Sequence, residues 1–150
     1  MSDRAWEFEE AIPFLDAAQG DVLCVGLGLG VMHKALMENE KVRSVTVIEK
    51  YQDVIDLVWD HCEKDERFRL IHEDIYDLHF DKNNDLFDVA WFDSWTFPTG
   101  EKDNPFDPVN YERDMRERFD PFVKKMFFWK DFRECDWIPH DPRQGPFVDR

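Results

Sequence analysis

The stretch Asp21-Val-Leu-Cys-Val-Gly-Leu-Gly-Leu-Gly30 decides the fold. A short apolar run of the kind that forms a buried strand ends in three glycines at alternate positions. Val31 to Asn39 then carries Val31, Met32, Ala35, Leu36 and Met37 at helical spacing. The unit is strand, glycine turn, helix. A missing side chain lets the backbone turn tightly there and approach a ligand closely.

Outward from this unit the pattern repeats. Ser44 to Glu49 is β-branched and short, predicting a second strand, and Gln52 to Cys62 carries Val54, Ile55, Leu57 and Val58 in helical periodicity. Phe68 to Ile71 reads as a third strand and Asp85 to Phe92 as a fourth. Tyr111 to Lys125 reads as a helix broken near Pro121, and Met126 to Trp129 as a fifth strand. Upstream, Phe8, Ala11, Ile12 and Leu15 argue for an amphipathic helix restarted at Pro13, within a helical segment spanning 1–19. Asp93 to Pro108 lacks periodicity and holds three prolines after its first residues, predicting a long loop directly after a strand. The tail 131–150 reads as irregular. The expected fold is α/β, a Rossmann-like, doubly wound, mainly parallel sheet of about five strands with helices on both faces, in one domain over residues 1–150.

Composition narrows the functional classes. Against 19 Lys and Arg stand 34 Asp and Glu, a formal net charge of −15, while a 43% hydrophobic content supplies a core. That charge repels phosphate backbones, and no Lys/Arg cluster stands out, so the expectation is no nucleic-acid partner. The longest uncharged apolar stretch, Val22 to Met32, falls well short of the roughly 20 residues of a membrane span. Three widely spaced cysteines, Cys24, Cys62 and Cys135, draw no disulfide framework, so the expectation is a cytoplasmic protein without a membrane partner. The five histidines show no metal-ligand spacing. Asp81-Lys-Asn-Asn-Asp85 departs from a calcium loop at Leu86, where glycine is required, and reads as a solvated turn, so no metal is expected.

In an open α/β sheet, ligands bind beyond the carboxyl ends of the strands. Gly26, Gly28 and Gly30 follow the first strand and Glu49 ends the second, placed to accept hydroxyl protons of a ribose. Asp74 lies just past the third strand and Asp93 ends the fourth. A dinucleotide fingerprint wants Gly-x-Gly-x-x-Gly/Ala, yet Val31 occupies its last position, which disfavours NAD.

Gly26-x-Gly-x-Gly30, Val-Thr-Val-Ile-Glu49, Glu73-Asp74-Ile75 and Phe-Asp-Val-Ala-Trp-Phe-Asp93 together resemble the class I S-adenosylmethionine-dependent methyltransferase fold. Within it they look most like the spermidine synthase branch. The resemblance implies S-adenosylmethionine as cofactor. Gly26, Gly28 and Gly30 would lie under its amino-acid portion, Glu49 would hold the ribose hydroxyls, Asp74 with Ile75 would meet the adenine, and Leu27 and Lys50 beside them are also expected to bind the cofactor. Asp93 would face the reacting centre, as a general base toward an attacking amine or as a cap for the following loop. Against that branch's Asp-Ser-Ser-Asp-Pro segment, Thr96 replaces the second aspartate. After Trp129 the usual C-terminal strand pair has no counterpart, so the fold is expected in truncated form. Trp95 and Phe97 read as core packing, with a cation–π contact to a sulfonium as the alternative.

The expected function is methyl transfer from S-adenosylmethionine to a small, amine-bearing acceptor. The alternatives are a spermidine synthase-like aminopropyltransferase and an inactive nucleoside-binding or acidic interaction protein. An unpaired fifth strand would expose backbone donors and acceptors, so a homodimer through that edge is a further expectation.

Overall fold

The computed structural model describes residues 11–93 and 108–129. In chain order the elements are α1 (Ile12–Ala17), β1 (Gly20–Val25), α2 (His33–Glu38), β2 (Val42–Glu49), α3 (Gln52–Val58), β3 (Phe68–His72), β4 (Phe87–Phe92), α4 (Pro108–Phe119) and β5 (Val123–Phe128). The strands form one sheet in the order β3-β2-β1-β4-β5, and every pairing is parallel. The chain winds outward from β1 through β2 to β3, then returns to lay β4 on the other side of β1. The topological switch point therefore falls between β1 and β4.

Side chains alternate along each strand, and the alternation builds two cores. Val22, Cys24, Val45, Val47, Val89 and Trp91 face one cluster with Phe14 of α1 and Leu36 of α2. Leu23, Val25, Ile48, Ala90 and Phe92 face a second with Ile75 and with Tyr111, Met115 and Phe119 of α4. Helices thus cover both faces, as the βα alternation predicts. Burial in the first core pushes the Cys24 thiol up to about 12, so it is an inert, neutral packing group.

Several boundaries differ from expectation, for local reasons. α4 begins at Pro108 and ends at Phe119, and β5 begins at Val123, so Lys124 and Lys125 belong to a strand rather than to a helix ending at Lys125. Pro121 cannot continue the helix, and the chain turns over Asp120–Phe122 into β5. The β3–β4 crossover, residues 73–86, contains turns and no helix. Within it the Asp81 carboxylate accepts the Asn83 N–H at 2.9 Å and the Asn84 amide at 2.6 Å, the expected solvated turn. Pro13 sits in the first turn of α1, where its missing N–H costs nothing. The stretches 1–10, 94–107 and 130–150 lie outside the described residues. With them go the readings placed on the first part of the N-terminal segment, on Trp95, Thr96 and Phe97, and on the tail.

Candidate functional site

Four carboxyl ends meet at one edge of the sheet. The parallel ladders run one residue beyond the strands: Gly26 N–H donates to Ile48 O at 2.8 Å, Asp93 N–H to Val25 O at 2.9 Å, and Glu73 N–H to Glu49 O at 3.1 Å. These bonds fix the glycine loop, Glu49 and Asp93 side by side at the switch point. The loop needs its glycines, since Gly26, Gly28 and Gly30 take φ of 101°, 53° and 68°, the left-handed region. Gly30 has a second reason: a Cβ there would lie 2.6 Å from Cys62 Cβ.

Glu49 is the centre of the arrangement. One carboxylate oxygen accepts the Leu27 N–H at 2.9 Å, and the other accepts the Tyr51 N–H at 3.0 Å. The side chain ties the glycine loop to the start of α3 and is 7% exposed. A strand-end side chain is ordinarily near solvent; this one is buried because two backbone donors converge on it. A carboxylate offers about four acceptor sites, so two remain for hydroxyl donors, and the residue fits a ribose diol.

Lys50 and Asp74 form the next layer, with Lys50 Nζ 3.1 Å from Asp74 Oδ2 while Asp74 Oδ1 accepts the Tyr76 N–H at 2.9 Å. Burial opposes ionisation of Asp74, but the Tyr76 N–H and the Lys50 ammonium outweigh it and hold its carboxyl below the usual range. The same hydrogen bond to Asp74, with its charge, raises Lys50. Of the remaining expected residues, Leu27 is 4% and Ile75 6% exposed, on opposite faces of the sheet. Leu27 offers the site its backbone, and Ile75 is buried in the second core, the cluster that also holds Ile48 and Met115, rather than standing open.

His33 and Cys62 escaped the sequence reading, being 29 positions apart with no shared motif. His33 Nδ1 lies 3.3 Å from Cys62 Sγ, and its ring packs against Phe68 and Trp59 at centroid distances of 5.2 and 6.2 Å. Desolvation drives His33 down to about 4 and raises the Cys62 thiol, so the pair is neutral, and it abuts the end of the glycine loop, with Cys62 against Gly30 and the His33 N–H donating to Gly30 O at 3.1 Å. No group of three or more metal-ligating side chains occurs among the described residues, and no helix there is long and apolar enough to cross a membrane.

Strand order, glycine loop and acidic strand ends define a class I S-adenosylmethionine-dependent methyltransferase fold, and the cofactor of that class is S-adenosylmethionine. The ribosomal RNA adenine dimethylase family matches residues 16–106, which contain every expected site residue. The chain belongs to that family. Among solved structures it resembles a dimethyladenosine transferase from Plasmodium falciparum, with 20% identity over 87% of this chain and a TM-score of 0.54. It also matches an S-adenosylmethionine-dependent methyltransferase from Clostridium acetobutylicum at 14% identity over 85% of the chain, TM-score 0.49, covering 50% of that structure. The chain spans 44% of the length of the Plasmodium protein. No curated protein matches it.

The family corrects two expectations. Its substrate is RNA, which overturns both the small-molecule acceptor and the exclusion of nucleic acid. Net charge misled because it sums the whole surface, whereas a nucleic acid touches one part of it and charges farther than about 8–10 Å are screened. The spermidine synthase branch finds no support: its glycine loop and acidic strand ends are common to the whole fold, and Thr96 already broke its distinguishing segment.

Proposed function

We propose that this chain transfers methyl groups from S-adenosylmethionine to the exocyclic amine of an adenine in RNA, with ribosomal RNA as the acceptor its family points to. The observation that carries the reading is the convergence of the glycine loop, Glu49, Asp74 and Asp93 at the switch point, inside the segment the family matches. The bound cofactor supplies an electrophilic methyl group on a sulfonium. The protein's residues supply position and electrostatics. Glu49 holds the loop in shape and accepts from the ribose, the Lys50–Asp74 pair borders the adenine, and the glycines let the backbone approach.

An amine that gains a methyl must lose a proton, and its lone pair is conjugated with the adenine ring. A hydrogen-bond acceptor on the N–H draws that lone pair out of conjugation. We assign this work to Asp93, which is half-buried just past β4 and whose backbone N–H ties it to Val25 at the start of the glycine loop. Two successive transfers to one amine consume both of its protons, which accords with a dimethylating family.

The test is incubation with S-adenosylmethionine carrying a labelled methyl group and an unmodified ribosomal RNA fragment, followed by nuclease digestion and mass spectrometry. Gain of one and then two methyl groups on adenosine is the expected result, falling about 10²-fold or more in Asp93→Asn. Label in a small amine but not in RNA would overturn the reading.

A further inference from the structure

The strand registers place five residues on one line at the carboxyl ends of the sheet. Glu49 pairs with His72, Val25 with both Ile48 and Phe92, and Phe92 with Phe128. One residue further along the last three strands, the order across the sheet is His72, Glu49, Gly26, Asp93 and Trp129. The hydrogen bonds follow the same line, since Asp93 N–H donates to Val25 O at 2.9 Å and Trp129 N–H to Phe92 O at 3.1 Å. Neighbouring strands lie about 4.8 Å apart, so Asp93 has Gly26 one spacing away on one side and Trp129 one spacing away on the other.

Side chains two residues apart on a strand share a face. Asp93 follows Val89 and Trp91, Trp129 follows Phe127, and all of these partners face the first core, which Trp129 itself touches. Asp93 and Trp129, both half-buried, thus rise from the same face of adjacent strands. Packing on both faces fixes their spacing. On the second face Phe92 and Phe128 stack at 4.8 Å and 12°, with Tyr111 edge-on to Phe128 at 6.4 Å. On the first, Phe14 of α1 packs against Trp91 at 5.4 Å and Phe127 at 6.1 Å.

This row puts the reactants in order. With the ribose at Glu49 and the amino-acid portion over the glycines, the methyl donor reaches Asp93 from the Gly26 side, and the acceptor base is left the Trp129 side. An amine conjugated with its ring is productive only when the ring is held at a fixed tilt to the methyl group. A half-buried indole beside the carboxylate supplies a flat surface for that purpose, because every base has a π face that stacks on an aromatic ring. The other described rings at the ends of β4 and β5 do not: Trp91 is 3% exposed, Phe92 is fully buried, and Phe128 packs against the second core.

We propose that Trp129 is the platform on which the acceptor adenine of the RNA stacks while Asp93 receives its amine. This rests on the methyltransferase reading above. Asp93 selects an exocyclic amine, and the indole fixes the plane of the ring that carries it.

The experiment compares wild type with two variants. Trp129→Leu keeps apolar bulk against the first core but has no flat face, whereas Trp129→Phe keeps the face. kcat and KM are measured for methyl transfer to an unmodified ribosomal RNA fragment, with S-adenosylmethionine affinity by calorimetry. Trp129→Leu should lower kcat/KM about tenfold or more and Trp129→Phe should restore most of it, with cofactor affinity equal in all three proteins. In parallel, the wild-type protein is irradiated with the same RNA carrying 8-azidoadenosine at the position it methylates, and the adduct is expected at Trp129 by mass spectrometry. Unchanged kcat/KM in Trp129→Leu would overturn the platform. Equal losses in both variants, or a loss matched by weaker cofactor binding, would overturn it in favour of a packing role. An adduct confined to other residues would overturn it without recourse to any variant. Wild-type protein that binds S-adenosylmethionine but methylates no adenosine in RNA would overturn the proposed acceptor, and the platform with it.

Discussion

At the scale of the residue, Glu49 and His33 carry the sharpest consequences. Glu49→Ala leaves the Leu27 N–H buried without an acceptor, so we expect a loss of about 1–3 kcal/mol in urea unfolding, besides at least tenfold weaker S-adenosylmethionine binding by calorimetry. Weakened binding with unchanged stability would mean the carboxylate serves the ligand alone. His33, held down to about 4 from 6.5 chiefly by desolvation, stays neutral in the folded protein where the unfolded chain takes up a proton. The unfolded state therefore binds more protons between these values, and stability falls as pH drops from about 6.5 toward 4, by about 3 kcal/mol in all. Urea midpoints at pH 7 and pH 4.5 should differ accordingly, and His33→Leu should flatten the slope. The paired carboxylates of Asp21, Asp74 and Asp88, all lowered from 3.8, lose their contribution only at lower pH, so the two windows separate.

At the scale of the element, the contact between the glycine loop and the residues after α3 leaves no room for a side chain at Gly30. Gly30→Ala imposes left-handed strain of about 1–2 kcal/mol, and its methyl meets Cys62 at 2.6 Å. Cys62→Ala leaves that Cβ in place, whereas Cys62→Gly removes it; only the second should recover part of the loss when combined with Gly30→Ala in thermal unfolding. Equal behaviour of the two pairs would show that backbone strain, not the contact, limits this position. Elements were legible where periodicity was long or β-branched residues ran together, as in β1, β2 and β4. They were misjudged at α4 and β5, because Lys124 and Lys125 read as the polar end of a helix, and an edge strand tolerates exposed lysines just as well. Pro121 was the signal that separated them.

At the scale of the whole molecule, the fold is a platform whose two cores lock β1 and β4 while the cofactor edge is held by a few backbone bonds. Saturating S-adenosylmethionine at about 100 times its Kd should add about 2.7 kcal/mol to stability and raise the melting temperature, a shift that Glu49→Ala should diminish at the same concentration. The order of chemistry-bearing residues along the chain, glycines, Glu49, Asp74, Asp93, was determined by sequence alone, because a parallel α/β sheet returns every strand's carboxyl end to one edge. Which groups touch was decided only by tertiary structure. Glu49 became a buried brace, His33 met Cys62, and Arg116 and Lys125 came to lie on opposite faces of β5, because strand register and helix rotation, not spacing along the chain, set those distances.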